Sequence, residues 1–439
     1  MTSPARINIA ELIDKSDISR SQLAVFILCT ACLMMDGFDV QALSYVAPAL
    51  VQDFKIAGSA LGPVFAATNF GVLIGSLGLS VLADKIGRRP VLIAATSFFA
   101  IMTVLTAQAA TVQQLLTLRF IAGIGLGSII PQAAALVGEY APARKRVSLI
   151  MITITLGFNG GAAISGLITA RLVEAFGWRS VFYIGGVLPL VIAFLMCFFL
   201  PESMQLLVLR NKSEKVGKWM RRNKPEAAAV SGVEYVVREE NRAGVPIGHL
   251  FREGRALLTI LIWLVNFMNL LNLYALTSWL PIVMRNAGYS ISTAVLVGTM
   301  LQVGAIIGTF VLAALIARKG FVPVLTGSLA VACISIAVIG QPGLSLAALT
   351  IVVTIAGCGI LGSQPGINAL SAVSYPTYLR ATGVGWGLGI GRVGAIVGPY
   401  IGGELLARQW STQDMFLAAA LPALVSTFAM MFMRQSKTA

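Results

Sequence analysis

The chain has 439 residues, 57% of them hydrophobic and only 11% charged, with a mean hydropathy of +0.85. Soluble globular domains carry about 25% charged residues, so a water-soluble enzyme or binding module is excluded and a polytopic membrane protein is implied. The net charge of +14 is a matter of topology, as its distribution shows, and no nucleic-acid partner is expected.

The first twenty residues, MTSPARINIAELIDKSDISR, are polar and charged, and no cleavable signal peptide is expected there. Apolar stretches long enough to cross roughly 30 Å of hydrocarbon lie near 22–48, 60–82, 90–110, 113–137, 147–172 and 178–200. A second set lies near 256–281, 291–316, 322–340, 345–374, 381–406 and 414–433. The expected fold is therefore an all-α integral membrane protein of twelve transmembrane helices in two six-helix bundles, 22–200 and 256–433. A basic linker, 201–255, joins them, and short tails, 1–21 and 434–439, flank them.

With the N-terminus in the cytoplasm, 25 of the 32 basic residues fall on the cytoplasmic side. Lys55, Arg171, Arg179, Arg285 and Arg408 fall opposite, and Arg119 and Arg392 lie within spans. The positive-inside rule then places both termini in the cytoplasm. The linker reads as a solvated segment, with contact to anionic lipid as the alternative.

The halves repeat. GSLGLSVLADKIGRRPVL (75–92) aligns with GTFVLAALIARKGFVPVL (308–325), matching Gly75 with Gly308, Gly87 with Gly320 and Pro90 with Pro323. IAGIGLG (121–127) likewise parallels IAGCGIL (355–361). Internal duplication of a six-helix unit makes the bundles pseudo-symmetric and points to a transporter with its site between them at mid-membrane.

Within the first span, CLMMDGFDVQAL (32–43) holds two aspartates three residues apart. A charge at bilayer depth costs roughly 2.5–3.5 kcal/mol. At 1.5 Å per residue, Asp36 and Asp39 lie roughly 21 and 26 Å up their helix, at a height similar to that of Arg119 in the fourth. Spacing of i, i+3 puts both on one face. One guanidinium between them lets one carboxylate stay ionised while the other gains and loses a proton. The three form either a proton-coupling group or a buried structural ion cluster.

Arg392 has no acid within ten residues on its helix. It is an anchor for a substrate carboxylate, a partner for an acid on another helix, or a snorkelling cation. Arg119 is the rival carboxylate ligand. Asn266, Asn269 and Asn272 make a stripe on the seventh span, followed by Tyr274 and Trp279, and Gln364 and Asn368 lie on the tenth. These amides either bond between helices or line a pocket for ring hydroxyls. Phe38, Phe70, Phe158 and Trp386 are either packing or stacking surfaces. Cys29 and Cys32 form a C-x-x-C, but the apolar helix around them favours packing over redox or metal chemistry. The single histidine, His249, lies in the linker and offers no membrane proton relay.

ADKIGRRP, with Asp84, Gly87, Arg88 and Arg89 after the second span, resembles the signature loop of the major facilitator superfamily. LRFIAGIGLG around Arg119 resembles that superfamily's second motif. The DGFD of residues 36–39 is similar to the D-G-x-D of its aromatic acid:proton symporters, bacterial uptake carriers for benzoate-like and hydroxybenzoate-like anions. In that family weight also falls on positions matching Glu139, Arg380 and Arg392. Two departures stand out: Ser80 replaces the glycine that usually opens the signature loop, and Ala317 replaces the aspartate of its second copy.

The resemblance implies a carrier of the bacterial inner membrane that works by alternating access, with a small aromatic carboxylate and protons as its partners. No cofactor or metal is expected, and a monomer suffices. Asp84, Gly87, Arg88, Arg89, Glu139, Arg144 and Arg380 belong to a cytoplasmic latch that closes in one state and parts in the other. A carrier of another organic anion is the alternative, followed by a drug–proton antiporter. Such antiporters usually carry a Gly-Pro step in the fifth span, where this chain reads LGFNGGAAISG. An integral-membrane enzyme or sensor lacks support, since no catalytic cluster or phosphate-cradling loop is visible.

Overall fold

A computed structural model describes residues 18–210 and 247–433, with short pieces at 6–8, 13, 214, 216–217, 219–220 and 234–236. Most of the expected N-terminal tail, most of the linker beyond residue 210 and all of 434–439 lie outside the described residues. Eleven helices are long and apolar enough to cross a membrane. They are α1 (Arg20–Phe54), α2 (Gly58–Ile86), α3 (Arg88–Thr106), α4 (Val112–Tyr140), α5 (Ala143–Phe176), α6 (Arg179–Phe199), α7 (Ala256–Asn286), α8 (Ile291–Lys319), α9 (Phe321–Ile339), α10 (Leu346–Ser374) and α12 (Thr412–Met431). The twelfth expected span is α11 (Thr377–Ala407), a helix of 31 residues. Seven glycines between 383 and 398, together with Arg392, dilute its hydropathy.

Several helices overrun the expected spans, because hydropathy marks the lipid-facing stretch whereas caps set the helix end. Ser19 caps α1 through a reciprocal box with Gln22, and Lys55 ends it in the left-handed region at φ 53. The only strand pairing among the described residues joins Arg6–Asn8 to Glu234–Val236 in parallel, outside the bundles.

The duplication read from the sequence recurs in the backbone. Gly87 and Gly320, aligned in the repeat, both take positive φ (123° and 83°) at the α2–α3 and α8–α9 turns, which an L side chain would strain. The second aligned pair marks helix breaks. α4 interrupts between Leu126 and Ile129, and α10 between Ile360 and Gln364.

One feature lacks a counterpart in the repeat. Five residues of α5, Thr155–Asn159, form a π-turn. There Gly37 of α1 approaches so closely that a Cβ would meet the backbone of Phe158. A π-turn widens the helix by one residue and is frequent at functional sites. Here it turns Phe158 inward.

The bundles meet through α2 on α11, α5 on α8 and α1 on α7. Gly62 and Gly403 nearly touch, a Cβ on the first lying 3.3 Å from the Cα of the second. Ser292 Oγ donates to the Ala170 carbonyl at 3.3 Å. Gln41 Nε2 donates to the Thr277 carbonyl at 3.1 Å and Gln302 Nε2 to Gln41 Oε1 at 3.2 Å. All these contacts lie in the half of the molecule that carries the α1–α2 and α7–α8 loops. The cleft between the bundles is thus closed at the end away from the linker.

Candidate functional site

A cavity sits between the bundles at mid-helix. From α1 come Asp36, Gln41 and Ser44, from α2 Thr68 and Asn69, from α5 Phe158, from α7 Tyr274, Thr277 and Ser278, and from α11 Arg392. It is a narrow slot of about 40 Å³, on a measure by which one water takes about 10–15 Å³. Its chemistry is mixed: one carboxyl, one guanidinium, several hydroxyls and amides, and the faces of Phe65 and Phe158.

The two aspartates part company. Asp39 is wholly buried and accepts from Arg119 Nη1 at 3.1 Å, Arg119 Nη2 at 2.5 Å and the Thr103 hydroxyl at 2.6 Å. Arg119 is equally buried, and its guanidinium lies 5.8 Å from the centre of the Phe182 ring. Asp36 stands apart from that cluster. It lines the cavity with Arg392, and its Oδ2 has no hydrogen-bond partner. A step of three residues turns a helix by about 60° short of a full circle, and this suffices to aim one carboxylate at α3 and α4 and the other at the cavity. Arg119 thus engages Asp39 and leaves Asp36 to the cavity, and it is not among the residues that line the cavity.

Arg392 does line it. Its Nη1 donates to the Tyr274 hydroxyl at 3.2 Å, and among the described residues it forms no ion pair. Tyr274 and Phe158, both singled out in the sequence, line the same space.

The amide stripe is elsewhere. Asn269 Nδ2 donates to the Ile360 carbonyl at 3.2 Å and to Gln364 Oε1 at 2.7 Å. Gln364 Nε2 in turn reaches Asn266 Oδ1 at 3.3 Å and Asn368 Oδ1 at 2.9 Å. Asn266, Asn269, Gln364 and Asn368 thus tie α7 to α10 inside one bundle, away from the slot's walls. Asn272 is buried beside a different pocket, and its amide is closed off from both. Phe38 is packed in the core, Phe70 stacks on Phe120, and Trp386 stacks on Trp263 at 6.0 Å. Trp279 packs edge-on to Phe65 at 5.4 Å.

The sequence reading missed Gln41, Ser44, Thr68, Asn69, Thr277 and Ser278. Thr68 and Asn69 bond back to the carbonyls of Val64 and Phe65. Their signal was available, as a Thr-Asn pair within a largely apolar span.

Asp84, Gly87, Arg88, Arg89, Glu139 and Arg144 lie at the linker end of the first bundle, whereas Arg380 lies near the start of α11 in the second. Arg88 pairs with Glu139, joining α3 to α4. Arg89 donates its side chain to the Cys197 carbonyl and its backbone N–H to Glu202 at 3.2 Å. Tyr140 donates to the Glu202 carbonyl at 2.7 Å, and Arg210 reaches the carbonyls of Lys85 and Ile86. Gly87 makes the turn. Asp84, Arg144 and Arg380 are exposed, and Asp84 forms no ion pair among the described residues.

The family model of the Major Facilitator Superfamily matches residues 29–399. The 4-hydroxybenzoate transporter PcaK of Pseudomonas aeruginosa is 37% identical over 438 residues, covering 98% of this chain and 98% of that protein. The gallate transporter of Pseudomonas putida is 34% identical, covering 97% and 95%. Among solved structures the xylose transporter XylE of E. coli superposes with a TM-score of 0.74 at 17% identity, covering 96% of this chain and 100% of that one. Duplicated bundles, paired turns and the family match agree, and the chain belongs to the major facilitator superfamily.

Proposed function

We propose that this carrier imports aromatic monocarboxylates, benzoate- or hydroxybenzoate-like, together with a proton, by alternating access across a bacterial inner membrane. The observation that carries the reading is the pairing of functions in one slot. Arg392 offers a guanidinium bonded to the Tyr274 hydroxyl but in no ion pair among the described residues, and Asp36 offers a carboxyl free of the Asp39–Arg119 cluster. The relatives named as 4-hydroxybenzoate and gallate transporters support the substrate class.

In this reading Arg392 binds the substrate carboxylate, with Tyr274 holding the guanidinium in place and Phe158 or Phe65 against the ring. Ring hydroxyls meet Asn69, Ser44, Thr277 or Ser278. Asp36 carries the proton, while Asp39 and Arg119 remain ionised as a fixed brace that holds α1 against α4. Protonation of Asp36 leaves Arg392 as the only charge in the slot, which favours entry of an anion. Release of that proton places a carboxylate beside the bound anion and expels it.

Both termini are taken as cytoplasmic, the bundles as 22–200 and 256–433 joined by 201–255, and a single chain as sufficient. The slot is then sealed on the outer side and belongs to an inward-facing state. The Arg88–Glu139 pair and the Arg89, Glu202 and Arg210 contacts hold the inner ends of the first bundle together as a rocking unit. Uptake of a panel of labelled aromatic acids by cells, with and without a protonophore, tests the reading. Accumulation of benzoates that collapses with the protonophore supports it, and indifference to either the acid or the protonophore overturns it.

A further inference from the structure

Two helices carry a proline at the same place in the repeat. Pro48 lies inside α1 and Pro281 inside α7, and the alignment that matches Gly75 with Gly308 matches these two as well. A proline within a helix has no N–H to give the carbonyl four residues before it. In α1 that carbonyl belongs to Ser44, and in α7 to Thr277. A backbone carbonyl left without a donor in a dry interior is costly. For Thr277 the donor comes from the opposite bundle. Gln41 Nε2 of α1 donates to the Thr277 carbonyl at 3.1 Å, while Gln41 Oε1 accepts from Gln302 Nε2 of α8 at 3.2 Å. Both ends of one carboxamide thus cross the boundary between the bundles. Gln41 and Gln302 are buried, and Gln41 also forms part of the slot's wall. Tyr274, which the same alignment matches with Gln41, meets Arg392 instead.

We propose that Gln41 is the clasp that holds the cleft shut at the end away from the linker, by supplying across the bundle boundary the hydrogen bond that Pro281 denies Thr277. In an unbroken helix the Thr277 carbonyl would be satisfied within α7, and an approaching amide would gain little. With the proline in place, the closed arrangement is the one that gives this acceptor a protein donor. When the bundles part, water takes the place of Gln41. The bond is then exchanged rather than lost, so the clasp is weak enough to release. Beyond it the seam is tightly packed. A Cβ on Gly298 would lie 3.3 Å from Pro281 Cγ, and a Cβ on Gly166 would strike the Thr299 hydroxyl. Thr299 is 1% exposed, so water reaches it only when the seam opens. Any ligand in the slot lies against the same amide that makes the closure. The parting of the bundles rests on the alternating access proposed above, whereas the bond between Gln41 and the orphaned carbonyl does not.

The test reads the closure itself. The full-length carrier with Thr299→Cys is held in nanodiscs, and modification of the new thiol by a small charged methanethiosulfonate is timed. Mass spectrometry of the peptide that contains position 299 separates it from the native cysteines. Gln41→Leu is expected to raise the rate about fivefold or more, the scale of one net hydrogen bond, and Gln302→Leu to raise it less. In a Pro281→Ala background, residue 281 donates to Thr277 from within α7. There the same Gln41→Leu change is expected to raise the rate by only about twofold or less. An unchanged rate in Gln41→Leu overturns the inference, and so does an equal effect of that change in both backgrounds, which is what mere packing by Gln41 would give. A rise in Gln41→Leu that Pro281→Ala suppresses, in a carrier that moves no aromatic acid, would sink the transport reading and leave the clasp standing.

Discussion

Asp39 and Arg119 face each other across α1 and α4 through two hydrogen bonds of 3.1 and 2.5 Å, and neither side chain reaches solvent. Removing one member of such a pair leaves an uncompensated buried charge, which destabilises by about 3–5 kcal/mol. Asp39→Asn is therefore expected to lower the yield of folded carrier and its unfolding temperature in detergent. Asp36→Asn, lacking an ion partner in that cluster, is expected to fold normally. Thermal unfolding of both variants side by side checks this, and equal stability would argue against a structural role for the pair.

Function separates the same two residues in the opposite sense. Asp36→Asn is expected to lose accumulation against a gradient while retaining exchange of labelled for unlabelled substrate, since exchange needs no net proton movement. Proton-driven accumulation at the wild-type level by this variant would remove Asp36 from the proton path.

The anchor is tested by shape as much as by charge. A guanidinium offers a planar fork to a carboxylate, and an ammonium does not. With charge-assisted hydrogen bonds each contributing about 1.5–3 kcal/mol, Arg392→Lys is expected to raise KM by about tenfold or more, and Arg392→Ala to abolish saturable uptake. An unchanged KM in Arg392→Lys would place the carboxylate elsewhere.

Arg88 and Glu139 join the linker-side ends of α3 and α4, remote from the slot's walls. Arg88→Ala and Glu139→Gln are expected to slow turnover several-fold with the ranking of substrates preserved. Asp84→Asn, at an exposed position without an ion partner among the described residues, is expected to have a smaller effect than either. Altered ring selectivity in Arg88→Ala would count against the latch.

Stoichiometry follows from the split of the aspartates. One anion moving against an inside-negative potential costs about 2.3 kcal/mol per 100 mV, which one proton cancels. With Asp39 held by Arg119, one proton per anion and nearly electroneutral transport are expected. Uptake into proteoliposomes at a fixed pH gradient, with the potential clamped by potassium and valinomycin, measures it. A steep rise in accumulation with inside-negative potential would require a second proton.

The fold was readable because lipid imposes a long apolar signature on each span, and because the duplication preserved the Gly87 and Gly320 turns. Arg392, Asp36, Tyr274 and Phe158 were readable for a related reason: groups costly in hydrocarbon, or aromatic beside them, draw attention. What remained illegible depended on rotations smaller than a helix face. Asp36 and Asp39 share a face by spacing, yet one step divides a cavity from a core. Asn269 and Asn272 look alike in a stripe, but the amide of the first bonds to α10, whereas that of the second is buried without a hydrogen-bond partner. Trp386 and Phe38 carried no signal to separate stacking on a neighbour from stacking on a ligand. Gln41 was hidden because its partners, Thr277 and Gln302, lie 236 and 261 residues away.

The π-turn in α5 carries one residue more than a regular helix allows for the same rise. Everything after Asn159 is thereby rotated about 100° from where a wheel drawn from Ala143 would put it. The face that meets α8 at Gly166 and Ala170 and the face bearing Thr153 belong to two different registers of one rod. Chimeras that exchange α5 between this carrier and one lacking the extra residue must be joined on the same side of the turn, or they will present lipid-facing side chains to the opposite bundle.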